Sequence, residues 1–235
     1  EVTSARGIGI IVDGDVVPRD DRAAYAEGRY LRVPMIVGTM ANEGGGVART
    51  LGVKTVAELQ GHVARNFPGH EARAQATYAA GSDADVTGVL SDLVSDTQCR
   101  FGTRELLRVA APREPRLWRY VFMQRRNGEA ALPIHGAELQ YPFDNLGAPH
   151  RGRPRPFDTT DAVLARQMAD TWARFVKTGD PNGGDLPTWP RMAPDAEHVL
   201  EFGTPTRAGS LGAAPRLDFI RDFYQQTAAT SGSGR

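Results

Sequence analysis

Apolar residues along the chain fall into short runs and helical stripes, and the two alternate. Met35, Ile36 and Val37 run together after Pro34 and are closed by Gly38. That pattern predicts a strand over 33–39, buried on both faces as in a parallel sheet. "PRLWRYVFM" at 115–123 predicts a second strand through Trp118, Tyr120, Val121 and Phe122. "HVLEFG" at 198–203 predicts a last one, and residues 7–17 read as short β structure around an Asp-Gly turn. Helical signals lie between these runs. Residues 20–28 form a short candidate with an acidic first turn and Gly28 as its stop. The stretch 55–111 is mostly helical, and Gly69, Gly81 and Gly88 divide it into several helices. "DTTDAVLARQMADTWARFVKTG" is a strong amphipathic helix, capped by Asp158 or Thr159 and ended by Gly179. "PRLDFIRDFYQQ" at 215–226 is a last helix entered through Pro215. Residues 142–158, rich in Pro, Gly and Arg, read as a long surface loop. The chain ends in "TSGSGR", and the tail from 229 to 235 is expected to be disordered. Alternating strands and helices predict an α/β layer fold. The helix-rich insertion between two strands predicts a cap over one end of the sheet.

Composition narrows the classes. At 235 residues, 40% apolar and 24% charged, the chain reads as an ordinary globular protein. Lys+Arg and Asp+Glu both total 28, so there is no basic surplus of the kind a nucleic-acid binder needs. The only lysines are Lys54 and Lys177, an arginine bias that reflects a GC-rich coding sequence more than a function. Cys99 is the single cysteine, which excludes both a disulfide scaffold and a cysteine-ligated zinc site. No apolar run approaches the roughly 20 residues that span a bilayer. The start shows no basic n-region followed by an apolar segment, so no signal peptide is visible. Phosphate-cradling patterns of the G-x-x-x-x-G-K-[ST] or G-x-G-x-x-G kind are absent, so no nucleotide cofactor is implied.

Two residues at predicted strand ends carry candidate chemistry. Glu43 follows the strand at 33–39 in the loop "MANEGGG", and His135 follows the strand at 115–123 in "LPIHGAEL". In open α/β sheets, ligands bind beyond the carboxyl ends of the strands. A carboxylate and a histidine delivered there suit an acid–base pair, since a carboxylate fixes the imidazole tautomer and stabilises the imidazolium. On spacing alone, His135 reads equally as a structural histidine or a base, and Glu43 reads first as a solvated loop carboxylate. His62, His70, His150 and His198 sit in polar helix or loop contexts and read as structural.

The wording of three segments changes that balance. "DGDVVPRDDRAAYAEGRYLRVPMIVGTMANEGG", "LPIHGAELQYPFDNLG" and "MADTWARFVKTGDPNGGDLPTWP" together resemble the type-B carboxylesterases. These are the cholinesterase-like branch of the α/β-hydrolases, which includes bacterial para-nitrobenzyl-type esterases. The resemblance runs from about Val12 to Tyr224, with the motifs in the family's order. It implies the C-terminal part of an α/β-hydrolase fold over 1–228, with a partial central sheet and a helix-rich insertion. It implies a serine-dependent carboxylic-ester hydrolase that uses no metal or other cofactor and acts on small-molecule esters. Glu43 stands at the family's triad acid, in Asn42-Glu43-Gly44 where the usual loop is Asp-Glu-Gly, and His135 stands at the triad histidine. Glu138 matches a family carboxylate that supports the histidine loop. "WARFVKTGDPN" and "WP" match structural motifs.

The nucleophile is not found. The α/β-hydrolase order is serine, acid, histidine, with the serine in a G-x-S-x-G elbow. Only 42 residues precede Glu43, and Ser4 lacks the flanking glycines. "AGSLG" at 208–212 offers Ser210, but it comes after His135 and is followed by Ala213-Ala214-Pro215 rather than an apolar helix start. The oxyanion-hole loop is missing too. The sequence therefore reads as the C-terminal half of a longer esterase, whose partner is an N-terminal half carrying the serine, and the isolated chain is expected to be inactive. Localisation stays open for the same reason, with a slight lean to the cytoplasm over secretion. The rival expectation is a non-catalytic, cholinesterase-like binding or adhesion protein.

Overall fold

A computed structural model describes residues 12–17, 21–125, 131–147, 157–193, 198–210 and 212–232. Its sheet runs β1 (Met35–Met40), β2 (Leu117–Phe122), β3 (His198–Phe202) and β4 (Arg207–Ser210), in that spatial order. The first three strands are parallel, with Met40 opposite Phe122 and Phe122 opposite Phe202, so their carboxyl ends share one edge. β4 returns antiparallel on β3.

β2 is buried at every position. Its period-2 alternation sends Trp118, Tyr120 and Phe122 to one face, where they meet α7 (Thr159–Thr178) through Leu164, Ala165 and Met168. Val121 goes to the other face. There it joins Leu217, Phe219 and Ile220 of α8 (Ala214–Gly232) and the helical insertion, through Leu59, Val63, Leu90 and Leu93. The sheet thus lies between two helical layers, the arrangement a buried parallel sheet requires. The insertion comprises α3 (Val56–Asn66), α4 (Glu71–Thr77), α5 (Val86–Ser95) and α6 (Phe101–Ala110). It follows α1 (Asp21–Ala26) and the four-residue α2 (Gly45–Ala48).

Local signals set the ends of α7. Asp158 accepts from the N–H groups of Thr160 and Asp161, while Asp161 reaches back to the Asp158 N–H, a reciprocal cap. Gly179 then closes the helix in the left-handed conformation at φ 73°.

Several expectations need correction. β1 is not buried on both faces: Met35 to Gly38 are half-buried, because β1 has a neighbour on one side only among the described residues. The strand buried throughout is β2. Residues 12–17 form no strand, since the Asp13 carboxylate takes the Asp15 and Val17 N–H groups at 2.9 Å each and folds the segment into a bend. The remainder of that expected β segment, residues 7–11, lies outside the described residues, as do 148–156 of the expected loop. The insertion mainly covers one face of the sheet, where its apolar stripes share a core with Val121, Val199 and α8, and only its α5–α6 turn region reaches the loops at the carboxyl end. α8 runs on to Gly232, past the expected end at 226 and into the expected disordered tail, since no proline or glycine interrupts Gln225 to Ser231. Residues 233–235 lie outside the described residues.

Candidate active site

Glu43 and His135 meet at the carboxyl edge of the sheet. Where β1 ends, Ala41 N–H still donates to the Phe122 carbonyl at 3.0 Å, and the chain then turns away. Asn42 N–H donates to the Pro133 carbonyl at 3.0 Å, and Asn42 forms a parallel bridge with Ile134, so the acid loop is tied directly to the histidine loop. Gly136, at φ 75°, supplies the left-handed residue that lets the chain reverse just after His135. Tyr141 anchors the far side of that loop, its hydroxyl donating to the buried Asp161 at 2.8 Å.

The Glu43 carboxylate has both oxygens engaged. Oε1 accepts the Met40 N–H at 2.8 Å, and Oε2 lies 2.7 Å from His135 Nδ1. An ionised carboxylate can only accept, so Nδ1 carries the proton and Nε2 keeps the lone pair. The partners differ sharply in burial: the Glu43 side chain is 7% exposed and that of His135 77%. A buried acid orienting an open imidazole can hold a tautomer and stabilise the imidazolium when Nε2 takes up a proton.

Glu138 lies half-buried in the same loop. Burial pushes its carboxyl above the usual range, and the negative charge of Glu43 adds to that push while His135 opposes it. Its Oε2 is buried with no hydrogen-bond partner among the described residues. Tyr120 of β2, whose phenol is raised by burial and by Glu138 and Glu43, lines one groove with Glu138.

Ser210 is elsewhere. It ends β4 opposite His198, the first residue of β3, so it lies at the amino edge of the sheet while Glu43 and His135 emerge from the carboxyl edge. No serine in the described residues, Ser210 included, stands in a G-x-S-x-G setting.

Cys99 was not anticipated at the site. One donor atom from each of Glu43, Cys99 and His135 lies within 4.8 Å of the others. A single cysteine therefore does not preclude a mixed carboxylate–thiol–imidazole donor set, which counting cysteines overlooks. The Glu43–His135 hydrogen bond already engages two of those groups. The thiol is pushed up to about 11 by burial and by Glu43, which keeps it protonated at neutral pH. The serines supporting the acid loop were also missed. Gly44 N–H donates to Ser95 Oγ at 2.8 Å, and Ser91 Oγ bonds Asn42 Oδ1. A Cβ on Gly44 would fall 2.3 Å from the Ser91 carbonyl oxygen, so only glycine permits this approach. A signal was present: Ser91 and Ser95 interrupt the buried, otherwise apolar face of α5 at helical spacing.

A partly mixed sheet between helical layers, with a carboxylate–histidine pair at its carboxyl edge, is the α/β-hydrolase arrangement in part. The sequence profile of the carboxylesterase family matches residues 3–220, and the chain belongs to that family. Among curated proteins it is 33% identical to "Fumonisin B1 esterase" of Sphingopyxis macrogoltabida over 221 residues, covering 92% of this chain and 41% of that protein. It is 27% identical to "Carboxylesterase 1D" of Mus musculus, covering 96% of this chain and 42% of the relative, and 26% identical to "Liver carboxylesterase" of Sus scrofa, with 93% and 41% covered. The chain thus spans about two-fifths of the length of these relatives. No helix among the described residues is long and apolar enough to cross a membrane.

Proposed function

We propose that this chain supplies the acid and the base of a serine-dependent carboxylic-ester hydrolase, with the nucleophilic serine carried by polypeptide outside it. The observation that carries the reading is the 2.7 Å contact between the buried Glu43 carboxylate and Nδ1 of the exposed His135. A serine hydroxyl placed at Nε2 would lose its proton to His135 as it attacks the ester carbonyl. The imidazolium, steadied by Glu43, would return that proton to the leaving alkoxide, and a water activated the same way would release the acyl group. Donors for the oxyanion would come with the serine, from the residue after it and from a glycine-rich loop. Glu138 would support the histidine loop from beside it, and the helical insertion would help to wall the substrate pocket. A binding or adhesion role within the same family gives no reason for an acid locked onto an imidazole that faces solvent.

The test is hydrolysis of a short-chain nitrophenyl ester by this chain, and by the chain combined with a polypeptide carrying the family's serine elbow. The expected result is turnover only in combination, with an organophosphate labelling the added polypeptide. Turnover by this chain alone that Ser210→Ala abolishes would overturn the proposal.

A further inference from the structure

α5 and α6 are continuous, but between them Asp96–Arg100 form a π-helical turn. Such single-turn widenings are frequent where a helix serves a site. In an α-helix residues four apart share a face, whereas in a π-turn the face passes to residues five apart. Ser91 and Ser95, four apart in α5, both bond the acid loop, to Asn42 and Gly44. The π-turn carries the same face five residues further, to Arg100. There Arg100 Nη2 donates to the Ala41 carbonyl at 2.5 Å, while Nη1 donates to Asp96 at 2.9 Å and Asp92 at 3.1 Å. Regular α-helical winding through this stretch would swing Arg100 off that face.

Asp96 makes the anchor rigid. It is fully buried and accepts from Arg100, from Arg216 Nε of α8 at 2.5 Å and from the Tyr78 hydroxyl at 3.2 Å. The Arg100 guanidinium is a planar fork held at one prong by this cluster, and its other prong reaches the backbone two residues before Glu43. Ala41 is itself buried, which restricts water as a substitute partner for its carbonyl.

We propose that Arg100, aimed by the π-turn, is a positioning residue for the hydrolytic reaction: it fixes the Ala41 carbonyl and thereby the angle at which Glu43 meets His135. This rests on the reading of Glu43 and His135 as acid and base. Arg100 touches neither the reacting atoms nor the imidazole and acts through the backbone of the acid loop.

The test needs no substrate. In long-range 1H–15N spectra of this chain, the His135 ring nitrogens report which one carries the proton in the neutral imidazole. The wild-type chain should show predominantly the Nδ1–H form that Glu43 selects. Arg100→Gln should move the population towards Nε2–H, and Arg100→Lys, a point donor unable to span Asp96 and Ala41 together, should give an intermediate population if Arg100→Gln does not fold. Arg104→Gln, which breaks the Arg104–Asp218 ion pair one turn further along, controls for general loss of stability and should leave the tautomer unchanged. In the assembled enzyme, Arg100→Gln should lower kcat by roughly a hundredfold, the scale of a 1 Å misplacement, with little change in KM. A wild-type tautomer in both Arg100 variants, or an equal shift in Arg104→Gln, overturns the positioning role and leaves the acid–base reading intact. A wild-type chain without the Nδ1–H preference overturns both.

Discussion

The Tyr120 ring lies against the backbone of Gly38, so close that a Cβ there would fall 2.2 Å from the ring carbons. These residues face each other in the β1–β2 register, and Tyr120 also carries the contact of β2 with Trp172 of α7 and with Phe202 of β3. Gly38→Ala should therefore displace the ring and cost about 1–3 kcal/mol, the usual range for overpacking a tight core. Urea unfolding of the two proteins measures it, and an unchanged midpoint would contradict the packing described.

Glu43→Gln keeps the size of the acid but lets the amide present an N–H to Nδ1, so the wrong tautomer is favoured. In the assembled enzyme it should lower kcat by about 10⁴-fold. His135→Ala removes the base outright and should cost about a millionfold, with little added by combining the two. Additive losses in the double variant would show that the residues do not work as a unit.

Asp161 links α7 to the histidine loop. It is fully buried and accepts from the Tyr141 hydroxyl at 2.8 Å and from Gln124 Nε2 at 3.0 Å, while also completing the helix cap. Asp161→Ala should cost about 2–4 kcal/mol, because charge-assisted bonds are lost and buried donors are left without partners. Asp158→Ala, which removes only the exposed side of the cap, should cost about 1 kcal/mol. Denaturant midpoints of both variants test the ordering.

Glu138 makes stability depend on pH in a defined direction. Its carboxyl is raised above the ordinary value of 4.5, chiefly by burial, so the folded chain holds that proton more tightly than the unfolded one. The protonated form is favourable in the fold at low pH, and this contribution is lost as pH rises from about 4.5 through the raised value. Glu138→Gln mimics the neutral acid. It should match the wild type in stability near pH 4 and exceed it at pH 7. A variant less stable than wild type at pH 7 would point to a favourable ionised Glu138.

The groove between the histidine loop and α7 is lined by Tyr120, Leu139, Phe143, Trp172 and Val176. Leu139 is 55% exposed, Phe143 79% and Val176 80%. With the edge of β1, which has a partner on one side only among the described residues, this gives the isolated chain two features that favour association. Sedimentation should show self-association that Phe143→Ser with Val176→Ser reduces. A wild-type monomer at high concentration would contradict it.

The sequence disclosed the parts whose signals are local. The helix of 159–178 was legible because its capping residue, its stripe and its terminal glycine all lie within the segment. The family resemblance pointed to Glu43 and His135 because each sits in a short, distinctive loop, although spacing alone left both undecided. Burial of β1 was misjudged because an apolar run says nothing about how many neighbours a strand has. β4 went unseen because four residues of Arg-Ala-Gly-Ser carry no strand signal, and β3 alone recruits them. The supports of the acid loop were invisible for a related reason: Ser91, Ser95 and Arg100 reach it from about 50 or more positions away, Arg100 through a widened turn that composition does not mark.

The unequal burial of Glu43 and His135 has a consequence for assembly. The acid is already enclosed by its own scaffold, while the base stands open at the surface where the proposed serine-bearing polypeptide would arrive. The boundary between the two pieces would then run through the reaction centre itself, with proton transfer crossing from one polypeptide to the other. Turnover in such an enzyme would report docking as directly as chemistry, and a misfit of the two surfaces would silence it before either piece unfolded.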